Sequence, residues 1–402
     1  MIKLRKIGGE GAMDAGRSSG FSRHQTGLRA HVMVLPWFIL AISSAQAHGD
    51  EQAGQSLLTQ WPINPELLIV LLLSLVFFVR GTRHLQAKGV VTTRGQYWAF
   101  YAGLTAIFLA LQTPLDLVAE HVFYVHQLQH LLLRGVAPLL LMLAVPAGPL
   151  IAGMPGVLRR SVLVPVMTHG GVRSAFRFLA RPVVCTLLYI GSLYAWQFPA
   201  YHDAALLSAP LHYLMHMTML LSGMLFFGCV FDPRPSPWGI PFSSRLIMLG
   251  SSIFANIPVG ALTTLKTTVL YVAYDRLGRW WGMEPLVDEL LGGLILWIPA
   301  SMMGLLAVLF LVRLWGKAES KLDLRRQQGF ASPIKGRNSA SAAASDQARR
   351  RMAWSLAVLP VLMFAAVILL AVWMSQRTAP SLLHPVLTVP TSATGLSVTK
   401  LR

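Results

Sequence analysis

The chain has 402 residues, of which 54% are hydrophobic and only 12% are charged, whereas soluble proteins carry about 25% charged residues. This composition excludes an ordinary soluble protein and indicates an integral membrane protein. The formal net charge of +18 does not indicate nucleic-acid binding, because the basic residues lie in loops between apolar segments. Cys185 and Cys229 form no CxxC pair or disulfide framework, so we expect them to pack as small apolar residues.

Residues 1–47 have the pattern of a targeting segment. A basic stretch precedes the apolar VMVLPWFILAI, and an A-x-A cleavage site ends at Ala47. The pattern predicts either a signal peptide or an uncleaved anchor, and the unusual length suggests that translation starts at Met13 or Met33. Cleavage would expose His48, whose amine and ring could chelate copper, although most such residues bind nothing.

Eight apolar segments after the leader are long enough to cross a bilayer, which takes about 17 residues or more. They cover residues 66–82, 96–113, 121–146, 182–199, 204–231, 245–273, 286–315 and 353–374. We therefore predict an all-α, polytopic integral membrane helix bundle with seven or eight transmembrane helices, whose core spans residues 60–315. We predict that residues 316–352 form a basic, flexible cytoplasmic linker. Residues 353–374 are predicted to form an additional transmembrane helix, and residues 375–402 are predicted to form an external tail.

The charges of the connecting loops predict the orientation. If the mature amino terminus is external, the first, third, fifth and seventh connections are cytoplasmic, and all four are rich in Lys and Arg. The second connection, TPLDLVAEH, has two acidic residues and no Lys or Arg, and the sixth is mixed. The pattern predicts a multi-pass protein of the bacterial inner (plasma) membrane with both mature termini on the periplasmic, external side.

Two HxxxH pairs lie within predicted spans: His126 with His130, and His212 with His216. Residues four apart share a helical face, and a rise of 1.5 Å per residue puts the second pair roughly 12–20 Å below the external end. A lone buried histidine can simply bond to a backbone carbonyl. Two pairs at matching depth instead indicate a functional site, because an i, i+4 pair can bind one metal ion. There is no HExxH motif, so a zinc protease is not indicated.

Other residues on the same side are candidates for supporting roles. Met215 and Met219 share the face of His212 and His216, and they are either core residues or soft auxiliary ligands. Imidazole combined with thioether favours copper, in particular Cu(I). Arg134 is expected either to pair with one of the acidic residues that open the late span or to face a water-filled cleft. Three histidines in loops or tails are assigned no role: His84, His169 and His384.

Three ordered segments carry a family resemblance. HQLQHLLLRGVAPLLLMLAVP from His126, YHDAALLSAPLHYLMHMTMLLSGMLFF from Tyr201 and DELLGGLILWIPA from Asp288 resemble the signature segments of the polytopic CtaG family of caa3-type cytochrome c oxidase assembly factors. The resemblance covers about residues 60–315. It implies a membrane protein, not an enzyme, that assists the maturation of haem-copper oxidases, in particular their copper B site.

The resemblance also implies site residues. The family's paired histidines correspond to the metal ligands His126, His130, His212 and His216. Its acidic residue corresponds to Asp288, which is expected to orient an imidazole from outside the ligand set. The family commonly has Gln at the next position, where this chain has Glu289. The other residues expected to support the ligands are Gln129, Asp203 and Glu289.

The leading hypothesis is a metallochaperone-like assembly factor that holds copper transiently and passes it to the catalytic subunit of a haem-copper oxidase. Its expected partners are that subunit, the lipid bilayer and periplasmic copper chaperones, without nucleic acid. One alternative is a haem-binding electron-transfer protein, although HxxxH spacing within one helix suits axial haem ligation less well. Another is a metal-free assembly scaffold. Proton or ion transport is a further alternative, but the sequence shows neither a carboxylate at mid-membrane nor an inverted repeat to support it.

Overall fold

The computed structural model describes residue 61, residues 63–234 and residues 239–327. The predicted leader, the eighth apolar segment and the external tail lie outside these residues. Every regular element within the described ranges is helical, which confirms the predicted all-α class.

The described helices are numbered α1 to α13 in chain order. They are α1 (Pro65–Gln86), α2 (Arg94–Leu111), α3 (Pro114–His121), α4 (Phe123–Leu143), α5 (Ala147–Gly153), α6 (156–168), α7 (Gly170–Leu179), α8 (Pro182–Gln197), α9 (Pro199–Leu206), α10 (Ala209–Val230), α11 (Phe242–Leu265), α12 (Ala273–Leu277) and α13 (Pro285–Gln327). Two of them contain π-helical turns, Leu131–Val136 in α4 and Arg159–Leu163 in α6.

Four of these helices, α1, α10, α11 and α13, are individually long and apolar enough to cross a membrane. Three bent pairs also qualify when each pair is taken as one span: α2 with α3 at 50°, α4 with α5 at 74°, and α7 with α8 at 73°. The described residues therefore hold four to seven candidate spans, in agreement with the predicted polytopic bundle. The chain is a multi-pass membrane protein.

Two predicted boundaries differ from the structure. The predicted connection TPLDLVAEH is largely α3, because the hydroxyl of Thr113 accepts a hydrogen bond from the N–H of Leu115 and Pro114 occupies the first helical turn. At the other end, α13 continues to Gln327, beyond the predicted span end at residue 315. Residues 317–327 contain no Gly or Pro and are rich in strong helix formers, so the start of the predicted flexible linker is helical.

The helix α4 lies at the centre of the described bundle, in contact with α2, α10 and α13. Gly223 has no side chain, which lets α10 approach α4 closely. A Cβ atom at this position would lie only 2.3 Å from the carbonyl oxygen of Arg134. This close contact holds α10 against the middle of α4, and the HxxxH pair of each helix lies on the amino-terminal side of the contact.

Candidate metal-binding site

Five imidazoles form one cluster, which we call the histidine cluster. Its members come from three helices: His126 and His130 from α4, His202 from α9, and His212 and His216 from α10. Within each HxxxH pair the ring centroids are 4.3 and 4.4 Å apart, and between helices His126 lies 5.2 Å from His212 and 5.7 Å from His216. All five side chains are buried.

Three members of the cluster have the geometry of a metal site. One ring nitrogen from each of His126, His130 and His216 lies within 4.8 Å of the other two. A metal ion at the centre of such a group needs only small side-chain adjustments to reach all three nitrogens at about 2.0–2.1 Å. His212 is outside this group, although its ring is adjacent to His216, and its Nδ1 lies 3.9 Å from Oε1 of Glu120. The structure thus brings all four predicted histidines together but groups three of them most closely.

The hydrogen bonding of the cluster is incomplete. Nε2 of His126, His130, His212 and His216 has no hydrogen-bond partner among the described residues, and Nδ1 of His130 also lacks one. Buried polar groups normally have partners, and leaving one unpaired costs about 1–3 kcal/mol. Five unpaired nitrogens on four neighbouring rings are an arrangement expected of ligand atoms.

The start of α10 is closer to its histidines than the sequence suggests. The predicted span begins at residue 204, but residues 199–206 form the separate helix α9, and α10 begins at Ala209. At 1.5 Å per residue, His212 and His216 therefore lie only about 5 and 10 Å along the helix, not 12–20 Å. The break occurs at Ser208 and Pro210, because proline favours the first helical turn.

Two residues of the site, His202 and Tyr274, were not predicted. His202 donates or accepts at both ring nitrogens, with Nδ1 3.0 Å from the carbonyl oxygen of Trp196 and Nε2 2.9 Å from the hydroxyl of Tyr274. The same hydroxyl lies 2.6 Å from Nδ1 of His126. Burial lowers the pKa of His202 to about 4 and raises the pKa of Tyr274 well above its ordinary value. Both side chains are therefore neutral at physiological pH.

Asp288 makes its direct contacts with the backbone and with an arginine, and its role in orienting an imidazole remains a prediction. Its carboxylate accepts hydrogen bonds from the backbone N–H groups of Phe123 and Tyr124, at 3.0 and 2.9 Å, and forms an ion pair with Arg279. No imidazole is among its described partners. The residue before α4, Val122, provides no side-chain cap, so Asp288 caps the helix that carries His126 from a distant part of the chain.

The three supporting residues lie in separate contacts. Glu289 pairs with Lys266 and accepts hydrogen bonds from the N–H groups of Leu270 and Tyr271. Gln129 donates to the carbonyl oxygen of Ala110 at 2.8 Å and to the carboxylate of Asp116.

The remaining member, Asp203, is half-buried, and burial raises the pKa of its carboxyl more than hydrogen bonds from the backbone of Ala273 and Val272 lower it. Its Oδ1 has no hydrogen-bond partner among the described residues. Among the described residues, no hydrogen bond or ion pair joins Asp203, Gln129 or Glu289 to an imidazole of the histidine cluster. Their contacts hold the chain segments around the cluster in place.

The two methionines lie in apolar surroundings. Met215 and Met219 are fully buried and belong to a small apolar cluster with Ala205, against which Trp196 packs. These contacts are those of core residues, and the auxiliary-ligand role of the two thioethers remains a prediction.

Arg134 does not pair with either acidic residue of α13. Its guanidinium donates to the carbonyl oxygen of Tyr189 at 3.2 Å and lies 3.8 Å from the centre of the Tyr189 ring. It also lines a small cavity of about 20 Å³ together with His130 and Gln127. The cation is thus stabilised by a carbonyl dipole and an aromatic face.

The chain matches a family described as cytochrome c oxidase caa3 assembly factor over residues 76–318, well over half of its length. No solved structure matches it. An uncharacterized protein of Mycobacterium leprae is 23% identical over 264 residues, and one of Mycobacterium bovis is 24% identical over 268 residues. Each alignment covers 62% of this chain and 38% of the relative, so the chain spans less than half the length of these curated relatives.

Proposed function

This chain belongs to the family of cytochrome c oxidase caa3 assembly factors, and we propose that it holds a copper ion in the histidine cluster and passes it to the oxidase catalytic subunit. The destination would be the copper B site. The observation that carries the proposal is the set of four buried Nε2 atoms without hydrogen-bond partners among the described residues. Binding an ion would offset the cost of burying these unpaired groups.

The donor set supports copper as the cargo. The group with the metal geometry contains imidazoles only, and neutral imidazole binds copper and zinc in preference to magnesium or calcium. Among divalent first-row ions, copper binds such nitrogen sites most tightly. An assembly factor for an oxidase that contains copper supplies the biological reason to choose copper over zinc.

Haem is less well supported as the bound group. Axial haem ligands must lie on opposite faces of a flat ring, whereas three ring nitrogens here lie within 4.8 Å of one another. The cavity beside His130 has a volume of about 20 Å³, which is room for about one water molecule and not for a porphyrin.

The direction of delivery follows from the position of the cluster. The ligands lie in the amino-terminal parts of α4 and α10, near the amino-terminal end of α13 that carries Asp288. Loop charges predict that this end is external. We propose that copper arrives from the periplasmic side, where a periplasmic copper chaperone would supply it.

The test is copper binding by the purified full-length chain in detergent. Anaerobic titration with Cu(I) against a chromophoric chelator should give one bound ion per chain. The double variant His126→Gln, His130→Gln should bind at least about tenfold more weakly, because two ligand atoms are lost. A matched control, His84→Gln with His169→Gln, removes two exposed histidines and should bind like the wild type.

Oxidase assembly in cells separates this proposal from its main rival. Cells that carry the cluster variant should assemble oxidase without its copper, and the control variant should support normal activity. Undiminished copper binding by the cluster variant would refute the site. A wild-type chain that binds no copper, together with normal oxidase activity in the cluster variant, would favour the metal-free scaffold.

A further inference from the structure

A continuous line of hydrogen bonds leads from the backbone to one predicted metal ligand. It begins at the carbonyl oxygen of Trp196, passes through both ring nitrogens of His202 at 3.0 and 2.9 Å, and continues through the hydroxyl of Tyr274. It ends at Nδ1 of His126, which is 2.6 Å from that hydroxyl. Beyond it, Nε2 of His126 has no partner among the described residues.

The chemistry of the groups fixes the direction of every bond in this line. A carbonyl oxygen only accepts, so Nδ1 of His202 must carry the hydrogen. A neutral imidazole has one N–H, so Nε2 of His202 accepts the hydroxyl hydrogen of Tyr274. The tyrosine has no second hydrogen, so its oxygen accepts from Nδ1 of His126, and the lone pair of that ring is left at Nε2.

Both rings are in environments that support the neutral form. His126 and His202 are fully buried, and neither has a carboxylate among its described hydrogen-bond partners. Burial disfavours a charged imidazolium, and an imidazole that binds a metal must offer a lone pair. The same line of hydrogen bonds therefore favours the tautomer that a metal ion requires at Nε2.

We propose that Tyr274 is a positioning residue that, with His202, sets the tautomer of His126 and presents its Nε2 to the metal. This inference rests on the proposed function, because it concerns the same ion. Partners of this kind behind a metal-bound histidine typically change metal affinity 10- to 100-fold when they are removed.

Tyr274 also lies beside the ion pair at the start of α13. The guanidinium of Arg279 lies 5.4 Å from the centre of the Tyr274 ring and pairs with Asp288. Asp288 also caps α4 at Phe123, three residues before His126. One carboxylate is therefore linked to both partners of the Tyr274–His126 hydrogen bond, through Arg279 on one side and the start of α4 on the other.

The direct test is the tautomer of His126 in the metal-free protein. Histidine ring ¹⁵N chemical shifts, measured on the full-length chain in detergent and assigned with a His126→Gln variant, distinguish an N–H at Nδ1 from one at Nε2. We expect the hydrogen at Nδ1 in the wild type. A hydrogen at Nε2 would overturn the proposal, and this measurement involves no metal.

The second test compares two neighbouring tyrosines. Tyr274→Phe should lose the tautomer preference and bind Cu(I) 10- to 100-fold more weakly. The control is Tyr271→Phe, which removes an equally buried hydroxyl that donates to the carbonyl oxygen of Gln197 at 2.9 Å and not to an imidazole. The control should stay within about twofold of the wild type in Cu(I) affinity and keep its His126 tautomer.

The outcomes separate the two proposals. A wild type that binds no copper refutes the proposed function, and the ¹⁵N spectrum still decides whether Tyr274 sets the tautomer. A wild type that binds copper, with equal affinities for Tyr274→Phe and Tyr271→Phe, refutes the role of Tyr274 and leaves the copper site intact.

Discussion

The two ends of α10 bury polar groups in opposite ways. At its amino-terminal end, His212 and His216 each keep an Nε2 atom without a described hydrogen-bond partner. About 24 Å from His216, at 1.5 Å per residue, the carboxylate of Asp232 accepts bonds from the backbone and the guanidinium of Arg234. Arg245 in turn donates to the carbonyl oxygen of Asp232 at 2.8 Å.

This contrast separates a structural cluster from the proposed ligand site. Burial raises the pKa of Asp232, but the hydrogen bonds and charge of Arg234 outweigh it and hold that pKa below its ordinary value. The carboxylate of Asp232 and the guanidinium of Arg234 compensate each other, and the bond from Arg245 joins the end of α10 to α11. The unpaired ring nitrogens of the histidines have no such compensation among the described residues, as the proposed metal ligands would before an ion binds.

The largest expected change in stability comes from a substitution at the carboxyl-terminal end of α10. Asp232→Ala should lower the free energy of unfolding by about 3–5 kcal/mol, because the Arg234 guanidinium and the N–H groups of Arg234 and Ile240 would lose their acceptor. The buried guanidinium of Arg245 would also lose a nearby compensating charge. Denaturation in detergent measures the change. The control Asp275→Ala removes a carboxylate that is 42% exposed and should cost at most about 1 kcal/mol. Equal costs for the two variants would contradict the comparison.

A smaller effect of opposite sign is expected at the histidine end. His130→Leu should leave the stability of the metal-free protein unchanged or raise it by about 1 kcal/mol, because both ring nitrogens lack partners. Its Cu(I) affinity should fall at least about tenfold. His202→Leu is the matched control: both of its nitrogens are bonded, so it should lose about 2 kcal/mol. Similar losses in both variants would show that the cluster is ordinary core.

The smallest effect is expected from the methionines. Met215→Leu with Met219→Leu conserves volume, so stability should change by less than about 1.5 kcal/mol. Cu(I) affinity should stay within about twofold of the wild type, because both side chains pack with Ala205 in an apolar cluster. Met224→Leu, in the main core, provides the reference. A tenfold loss of affinity in the double variant alone would make a thioether a ligand.

Most of the fold follows from short-range patterns. Apolar length predicts spans that correspond to α1, α2, α4, α8, α10, α11 and α13, since each helix satisfies its own backbone within a membrane. The bends were not predicted, because length and hydropathy do not show where a helix such as α3 ends and α4 begins. Local signals do indicate some helix boundaries, for example the start of α3 at Pro114 after the cap at Thr113.

The site divides in the same way. The HxxxH spacing is local, so His126 with His130 and His212 with His216 could be paired from the sequence, and depth along the helices brought the pairs together. His202 and Tyr274 lie in short helices between the long ones, where periodicity carries no information about direction. The cap that Asp288 provides joins residues 165 positions apart, and no sequence window contains both partners.

The π-helical turn Leu131–Val136 gives α4 a tolerance in length that an uninterrupted α-helix lacks. It begins directly after His130 and accommodates an extra residue within the helix. Because i→i+5 hydrogen bonds enclose one residue more than i→i+4 bonds, the wider turn takes up that residue and the helix on either side keeps its facing. Deleting one residue there would restore α-helical winding and leave His126 and His130 facing α10, whereas a deletion in ordinary α-helix rotates one side by about 100° relative to the other. This segment can therefore lose one residue in evolution without turning the histidine pair away from α10.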